Sequence, residues 1–320
     1  MTNLQHRLRK VAGTLALGLL CALAQPYQAV GAEETVEGSP AVLTIARVSQ
    51  NPRKHFKALG ALGAYLAPRL KTAGIRDHRV RLAKDNDQMM AWLHAGEVDL
   101  IMETPFSAIT YERNASGQIL MRAWKSGVPS YRTVFVARKD GEVSSLADLA
   151  GRLVAFEDAG STSGFFVPLT TLLDRGMTVT ADDGSDRNGD QNDVRYLFAG
   201  SEVNVTAWVA RGRVDAGAYS DRDWHNSSKA PLNLKKDLFI FHETPEMIRS
   251  LIVVRSGLAD TTKRQISELL ASMHDSKEGR DTLKALYKTE RFDRIDGDVA
   301  DSLDHMRTLV TAFWASRPVH

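Results

Sequence analysis

The sequence predicts an α/β protein of two lobes, each built around a sheet that is covered by helices. Short β-rich runs alternate with helical segments along most of the chain, and the connections between them are short. This alternation is typical of a parallel sheet with helices on both faces. The pattern restarts after Tyr131, and 320 residues are enough for two domains. We therefore expect the chain to cross between the lobes near residues 131–138 and again near residues 219–238.

The first lobe begins with alternating strand and helix patterns from residue 42 onward. Phe56, Leu59 and Leu66 are spaced to lie near one face of a helix, and Met89 and Leu93 mark a second helix. The predicted elements are a strand at 42–48, a helix around 56–70, a strand at 80–83, a helix at 89–96 and a strand at 98–102.

The second lobe repeats this alternation, and the chain then returns to the first. The predicted elements are a strand at 133–138, a short helix at 146–150, strands at 153–156, 194–198 and 214–218, and helices at 161–175 and 203–211. Two more strands follow at 238–241 and 251–254, then helices at 263–274, 280–287 and 301–314. The predicted division is a first lobe of residues 33–131 plus 238–320 and a second lobe of residues 132–237.

The composition is that of a folded soluble protein. Hydrophobic residues make up 43% of the chain, charged residues 25% and aromatic residues 7%, and the mean hydropathy is −0.25, which argues against several membrane spans. The net charge of +2 comes from the N-terminus, because without residues 1–32 the chain has 38 basic and 39 acidic residues. We therefore expect no nucleic-acid partner.

The N-terminus has the pattern of an export signal. A basic stretch at residues 7–10 precedes an apolar run at residues 11–24, which is short for a membrane-spanning helix. Small residues allow cleavage after Ala24 or Ala32, so residues 1–32 are expected to be a signal peptide; a retained membrane anchor is the alternative. Cys21 is the only cysteine, so the processed chain would have no disulfide, thiolate metal site or cysteine nucleophile.

An acidic loop at residues 180–193 partly matches a calcium-binding loop. Asp186, Asn188 and Asp190 have the alternate spacing of calcium ligands, but Gln191 stands at the glycine position and Leu197 at the position of the final glutamate. We expect a solvated loop and neither a metal nor a cofactor.

The segment at residues 149–164 carries the clearest chemical signal. A predicted strand ends in a loop of small residues, and a helix then begins with the hydroxyl residues Ser161, Thr162 and Ser163, followed by Gly164. The first amides of a helix have no partner within the helix, and its dipole places partial positive charge there. The segment is therefore a candidate oxyanion site. The alternative is that Ser161 only caps its helix, and the local pattern leaves both open.

Four blocks of the sequence resemble the periplasmic phosphate/phosphite/phosphonate-binding (PhnD-type) proteins of ABC transporters. They are GVPSYRTVFVARKD (127–140), SLADLAGRLVAFEDAGSTSG (145–164), AGSEVNVTAWVARGRVDAGAYSD (199–221) and SLIVVRSGLADTTKRQISELLASMHDSKEGRDTLKAL (250–286). The resemblance implies a type II periplasmic binding protein fold, in which two α/β lobes joined by a hinge close on a ligand. It also implies a periplasmic location.

The resemblance places the anion-contacting motif on Ser161, Thr162 and Ser163, and the cleft tyrosine on Tyr131. Glu202 stands where members usually carry a histidine that faces the anion. An unpaired, ionised carboxylate there would repel a phosphonate. We therefore expect either a ligand that is not a simple phosphonate, or a small anionic head with a cationic or hydrogen-bond-donating tail that Glu202 and Asp221 recognise.

Other departures from the family pattern lie mainly on the first-lobe side. Asn86 replaces a common tyrosine, the turn that contains Thr104 replaces a turn of small residues and Gly-Pro, and Ser220, followed by Asp221, replaces an Asp or Asn. The predicted ligand-binding residues are Thr104, Tyr131, Ser161, Thr162, Ser163, Gly164, Glu202, Tyr219 and Asp221. For Glu202, the alternative is a cap at the start of its own helix.

The expected function is capture of a small oxyanion between the lobes and its delivery to an ABC permease, without catalysis. One alternative is a sensing protein that reports the bound state to a membrane sensor kinase. The other is an enzyme in the cleft, for which Glu202, Asp221 and His225 are the clustered acid–base candidates.

Overall fold

The structure, a computed structural model, describes residues 41–49, 52–182 and 192–315. The expected signal peptide and the candidate calcium ligands of the acidic loop lie outside the described residues. The described part of the chain forms two six-stranded sheets and one two-stranded ribbon, which confirms the prediction of two α/β lobes.

Fourteen strands are present in the described ranges. In chain order they are β1 (Ala41–Val48), β2 (Ile75–Ala83), β3 (Leu100–Glu103), β4 (Gly117–Ala123), β5 (Ser130–Tyr131), β6 (Thr133–Arg138), β7 (Leu153–Phe156), β8 (Val179–Ala181), β9 (Val194–Phe198), β10 (Ala216–Ser220), β11 (Leu238–Glu243), β12 (Met247–Ile248), β13 (Leu251–Arg255) and β14 (Phe292–Arg294).

Ten α-helices connect and cover these strands in the same ranges. They are α1 (Pro52–Leu66), α2 (Asn86–His94), α3 (Pro105–Asn114), α4 (Val167–Leu173), α5 (Glu202–Ala210), α6 (Asp221–Trp224), α7 (Leu232–Lys235), α8 (Asp260–Ala271), α9 (Lys277–Ala285) and α10 (Gly297–Ala315). A π-helical turn, Thr162–Phe166, leads directly into α4. None of the helices in the described ranges combines the length and the apolar character needed to cross a bilayer.

Both sheets are mixed, whereas the sequence predicted parallel sheets. The first has the order β14-β4-β13-β3-β1-β2, and the second has the order β11-β6-β10-β7-β9-β8. Strands linked by helical crossovers are parallel, as in β1, β2 and β3. The strands next to the crossings are antiparallel, as in β13 against β3 and β10 against β6, because the chain leaves each sheet and returns to it from the other.

The second crossing lies after Glu243. β11 pairs antiparallel with β6 at the edge of the second sheet, although the predicted division assigned residues from 238 onward to the first lobe. The chain then passes through β12, which pairs with β5. The two crossings therefore run side by side. β11 belongs to the second sheet because its side chains Leu238 and Ile240 pack into the core of that lobe.

A shared aromatic cluster connects elements of the two sheets. Phe106 at the start of α3 stacks on Phe166 of the π-helical turn, with ring centroids 4.5 Å apart and planes inclined by 10°. Phe313 of α10 meets both rings edge-on, at 5.4 and 5.5 Å, and all three side chains are buried. This packing fixes the start of α3 against the turn that carries the candidate anion motif.

Candidate functional site

The turn after β7 is organised by Ser161. Its Oγ accepts a hydrogen bond from the Gly164 amide at 2.9 Å and donates one to Glu157 Oε2 at 2.8 Å. Ser161 therefore caps the helix, as the alternative interpretation held. A glycine is required at position 164 because the main chain there lies close to the Glu157 side chain. A Cβ at this position would be 2.7 Å from Glu157 Cβ.

The next two residues of the turn keep their main-chain donors available. Within the described ranges, the N–H groups of Thr162 and Ser163 have no hydrogen-bond partner. The Thr162 hydroxyl, by contrast, accepts from the Phe106 amide at 2.9 Å. Thr162 thus links the turn to α3 through its side chain, while its main-chain amide stays without a partner among the described residues. The helical segment from Thr162 through α4 places positive partial charge at these amides.

Tyr131 adds an unsatisfied hydroxyl to the same place. Its side chain is 5% exposed, and its hydroxyl has no hydrogen-bond partner within the described part of the chain. Burial raises the pKa of this phenol well above its usual value, while the hydroxyls of Ser163 and Thr162 and the charge of Arg249 act in the opposite direction. A buried hydroxyl without a partner beside two free amides is the arrangement expected of a site that a polar ligand completes.

Neutral polar groups on α2 and α3 form one part of the first-lobe side of this site. Asn86 Nδ2 donates to Ser107 Oγ at 3.0 Å, and Tyr111 OH donates to Asn86 Oδ1. Ser107 Oγ lies 3.0 Å from the Gly160 carbonyl oxygen, which precedes the turn of the second lobe. Thr104, which immediately precedes α3, is half-buried and makes no side-chain cap. Asn86 therefore belongs to a hydrogen-bonded contact between the lobes.

Two basic residues that the sequence analysis did not single out, Lys125 and Arg249, lie next to each other, and the charge of Arg249 acts on Tyr131. Burial, then the positive charges of Arg47 and Arg249, lower the pKa of Lys125 to about 7. Arg249 Nη1 donates to the Lys125 carbonyl at 2.8 Å. Lys125 lies two residues before the first family-like block and Arg249 immediately before the last, so proximity to those blocks was the only sequence signal.

The backbone beside Lys125 is strained. Ser126 and Tyr287 have φ angles of 55° and 56°, in the left-handed region. The Tyr287 ring lies 5.5 Å from Lys125 Nζ and 5.5 Å from the Arg47 guanidinium carbon. Such conformations persist where the surrounding structure holds them, and they are frequent at functional sites.

Three carboxyl groups lie at the carboxyl ends of neighbouring strands in the second sheet. Glu157 follows β7, Glu202 follows β9 and Asp223 follows β10, and these three strands are neighbours. Glu202 Oε2 lies 2.6 Å from Lys229 Nζ. Burial, then the charge of Glu202, raise the pKa values of Glu157 and Asp223. Burial thus disfavours the charged forms of Glu157 and Asp223, whereas Glu202 is paired with Lys229.

Two of the predicted site residues lie elsewhere or have other partners. Tyr219 is completely buried in the core of the second lobe, with its hydroxyl 3.2 Å from Thr206 Oγ1. It is therefore part of the core and does not face the cleft. Asp221 Oδ1 accepts from the Arg132 amide at 3.2 Å. Asp223, two residues later, is the acid whose charge acts on both Lys125 and Arg249.

Within the described residues, no group of three or more histidine, cysteine, aspartate or glutamate side chains is arranged to hold a metal ion. His225, a candidate for the enzyme alternative, has its Nδ1 2.7 Å from the Asp221 carbonyl oxygen and is exposed. The site is therefore best described as a set of hydrogen-bond donors and charges.

Comparison with known proteins identifies the family. A family model described as "ABC transporter, phosphonate, periplasmic substrate-binding protein" matches residues 47–299. The phosphate-import protein PhnD of Mycolicibacterium smegmatis is 28% identical over 191 residues, which cover 57% of this chain and 56% of that protein. The matched region thus spans little more than half the length of this curated relative.

Solved structures agree with this assignment. The Xanthomonas citri protein XAC2383, described as bound to chloride ion, superposes with a TM-score of 0.83 at 29% identity, covering 86% of this chain and 99% of that chain. The same protein is also described as bound to ATP, with a TM-score of 0.82 at 28% identity and coverage of 87% and 99%. PhnD1 from Prochlorococcus marinus (MIT 9301), in complex with methylphosphonate, has a TM-score of 0.64 at 17% identity, covering 86% and 99%, and supports the fold alone.

The predicted PhnD-type resemblance and the type II binding-protein fold are therefore confirmed. The matched family consists of transport components located in the periplasm and is not a family of enzymes. Nothing in these comparisons supports a sensor kinase as the partner. The chain belongs to the family of periplasmic substrate-binding proteins of phosphonate ABC transporters.

Proposed function

We propose that this chain captures a small phosphorus oxyanion, such as phosphate, phosphite or an alkylphosphonate, between its two lobes and delivers it to an ABC permease. The observation that carries the proposal is that the amides of Thr162 and Ser163 and the buried hydroxyl of Tyr131, which lies near the side chains of these two residues, have no hydrogen-bond partner within the described residues. Relatives are described as importing phosphate, or as bound to methylphosphonate, chloride ion or ATP. All of these ligands are anions.

In this proposal the ligand oxygens replace the missing partners of the three donors. Two main-chain amides at a helix start bind anionic oxygen well, because the helix dipole adds to their hydrogen bonds. The Tyr131 hydroxyl supplies a third donor, and the positive charge of Arg249 favours an anion over a neutral ligand. A bound anion also favours the protonated form of Lys125, whose pKa is lowered to about 7 in the unliganded chain. The ligand thus exchanges its hydration for donors that are already oriented.

The proposed site draws on both lobes, so binding is coupled to the closed arrangement. Thr162 and Ser163 belong to the second lobe, whereas Lys125 follows β4 of the first sheet. A ligand that contacts both lobes binds the closed form better than the open form and shifts the population towards it. The hydrogen bonds from the Phe106 amide to Thr162 and between Ser107 and Gly160 favour the same arrangement.

A thermal-shift and calorimetry screen tests the proposal. The purified chain is titrated with phosphate, phosphite, methylphosphonate and sulfate. A ligand at 100 times its Kd adds about 2.7 kcal/mol to the free energy of unfolding, so we expect a clear rise in Tm with at least one phosphorus oxyanion. If none of them raises Tm or gives a binding heat at millimolar concentration, the proposal is refuted.

Lys125→Met and Lys284→Met form a matched pair of variants in this screen. Lys284 is an exposed lysine on α9. Loss of a hydrogen bond to a charged group costs about 1.5–3 kcal/mol, so Lys125→Met should bind the oxyanion at least about tenfold more weakly. Lys284→Met should bind like the original chain.

Delivery is tested by comparing uptake of radiolabelled ligand in cells with and without the chain.

A further inference from the structure

The acidic edge of the second sheet poses a charge problem for an anion site. Glu157, Glu202 and Asp223 come together at the ends of three neighbouring strands. Glu157 is also hydrogen-bonded to Ser161, the cap of the proposed anion-binding turn. A free carboxylate this close would repel an oxyanion and attract a cationic group on the ligand.

Lys229 supplies the missing positive charge from within the chain. Its Nζ lies 2.6 Å from Glu202 Oε2, and the Glu202 side chain is only 14% exposed. Burial opposes ionisation, but the hydrogen bond and the charge of Lys229 outweigh it and lower the pKa of Glu202. Glu202 is thus a charged group whose counter-ion is a side chain of the same lobe.

The position of Lys229 is fixed by its own backbone. Its amide donates to the Asn226 carbonyl at 2.9 Å, and its carbonyl oxygen lies 3.1 Å from Thr206 Oγ1. Thr206 belongs to α5, the helix that begins with Glu202. The loop after α6 therefore holds the ammonium group over the first turn of α5, at the place where the ammonium group of a ligand would otherwise meet Glu202.

We propose that Lys229 is a specificity-determining residue, which occupies the Glu202 carboxylate so that the site selects oxyanions without a cationic tail over aminoalkylphosphonates. This inference rests on the proposed function. The remaining carboxyls are weaker receptors for a cation, because burial and the charge of Glu202 raise the pKa values of Glu157 and Asp223 and disfavour their charged forms. Because Lys229 neutralises Glu202, an anion can bind beside these three acidic residues.

Calorimetric titration with methylphosphonate and 2-aminoethylphosphonate tests this inference on the full chain. The variants are Lys229→Met, Glu202→Gln and the double variant, with Lys229→Arg as the charge-conserving variant and Lys236→Met, an exposed neighbour, as the control. We expect the original chain to prefer methylphosphonate. Removing one partner of a partly buried charge pair leaves the other charge without its counter-ion. Lys229→Met should therefore shift the ratio of the two affinities towards 2-aminoethylphosphonate by at least about tenfold.

The other variants separate this role from a structural one. The double variant should return the ratio to within about threefold of the original, because its carboxylate is also gone. Lys229→Arg and Lys236→Met should keep the original ratio. If the original chain binds neither probe and no other phosphorus oxyanion, the proposed function itself fails. If it binds methylphosphonate but Lys229→Met leaves the ratio unchanged, or the double variant shifts as far as Lys229→Met, the inference is overturned and the proposed function stands.

Discussion

Replacing Tyr131 by phenylalanine separates ligand binding from stability more cleanly than any other single change. The substitution removes one hydroxyl and leaves the ring in its buried position. In the unliganded chain this hydroxyl has no hydrogen-bond partner within the described residues. In the proposed complex it donates to the ligand. The substitution should therefore raise the stability of the unliganded chain and lower its affinity for the ligand.

The magnitudes follow from the environment of the hydroxyl. A buried polar group without a partner costs about 1–3 kcal/mol, so Tyr131→Phe should stabilise the unliganded chain by up to roughly that amount. At roughly 2–4 °C per kcal/mol for a chain of this size, its Tm should rise by several degrees. A hydrogen bond to a charged oxygen contributes about 1.5–3 kcal/mol, so the affinity for the oxyanion should fall by roughly 10- to 100-fold.

Two measurements on the same preparations check this prediction. Chemical denaturation without ligand gives the change in the free energy of unfolding, and calorimetry with phosphate, phosphite or methylphosphonate gives the change in affinity. Tyr219→Phe is the matched control. Tyr219 is likewise a buried tyrosine, but its hydroxyl is bonded to Thr206. This control should lose about 0.5–1.5 kcal/mol of stability and keep its affinity.

The result that refutes the reasoning is equally specific. If Tyr131→Phe destabilises the unliganded chain as Tyr219→Phe does, its hydroxyl has a partner in the unliganded protein. If its affinity for the oxyanion is unchanged, Tyr131 does not contact the ligand, and the site lacks its third donor.

Two further predictions concern the turn around Glu157. Burial, then Glu202, raise the pKa of Glu157 well above 4.5, so its contribution to stability is present below that pH and is lost as the pH rises through the folded-state pKa. Relative to Glu157→Gln, the original chain should lose free energy of unfolding as the pH rises above 4.5; a difference that is constant with pH in denaturation experiments would contradict this. Gly164→Ala would place a Cβ 2.7 Å from Glu157 Cβ and should destabilise the chain by about 1–3 kcal/mol, measured as a fall in Tm. Gly60→Ala in α1 has nothing within 4 Å of the new Cβ and should not lower Tm, so equal effects of the two substitutions would show that the turn is not tightly packed.

Local patterns in the sequence were enough to find most elements of the fold. The predicted strands at 133–138, 153–156 and 194–198 agree with β6, β7 and β9 to the residue, because each is a short run rich in aliphatic and aromatic residues, which is a local signal for a strand. Ser161 was identified in the same way, since a hydroxyl residue before a helical run is a local signal for a cap. β4 was missed, although its burial alternates with a period of two.

Sequence separation explains what local patterns could not provide. Leu238–Glu243 reads as a strand, but its membership of the second sheet depends on pairing with β6, about 100 residues earlier. Tyr219 and Tyr131 look alike as buried tyrosines, yet one hydroxyl is bonded to Thr206 and the other has no partner in the described ranges. Only the packing of neighbouring elements distinguishes them.

The two α/β lobes and the candidate anion motif after β7 could be predicted from local patterns, because strand and helix periodicity and helix capping act over a few residues. The assignment as a binding protein came from the four family-like blocks. Which charges meet at the site became visible only in the folded chain. Lys229 reaches Glu202 across 27 positions, and Lys125 comes under the influence of Arg249 and Asp223. Electrostatic interactions depend on distance in space and on burial, and neither quantity is fixed until the sheets have formed and packed.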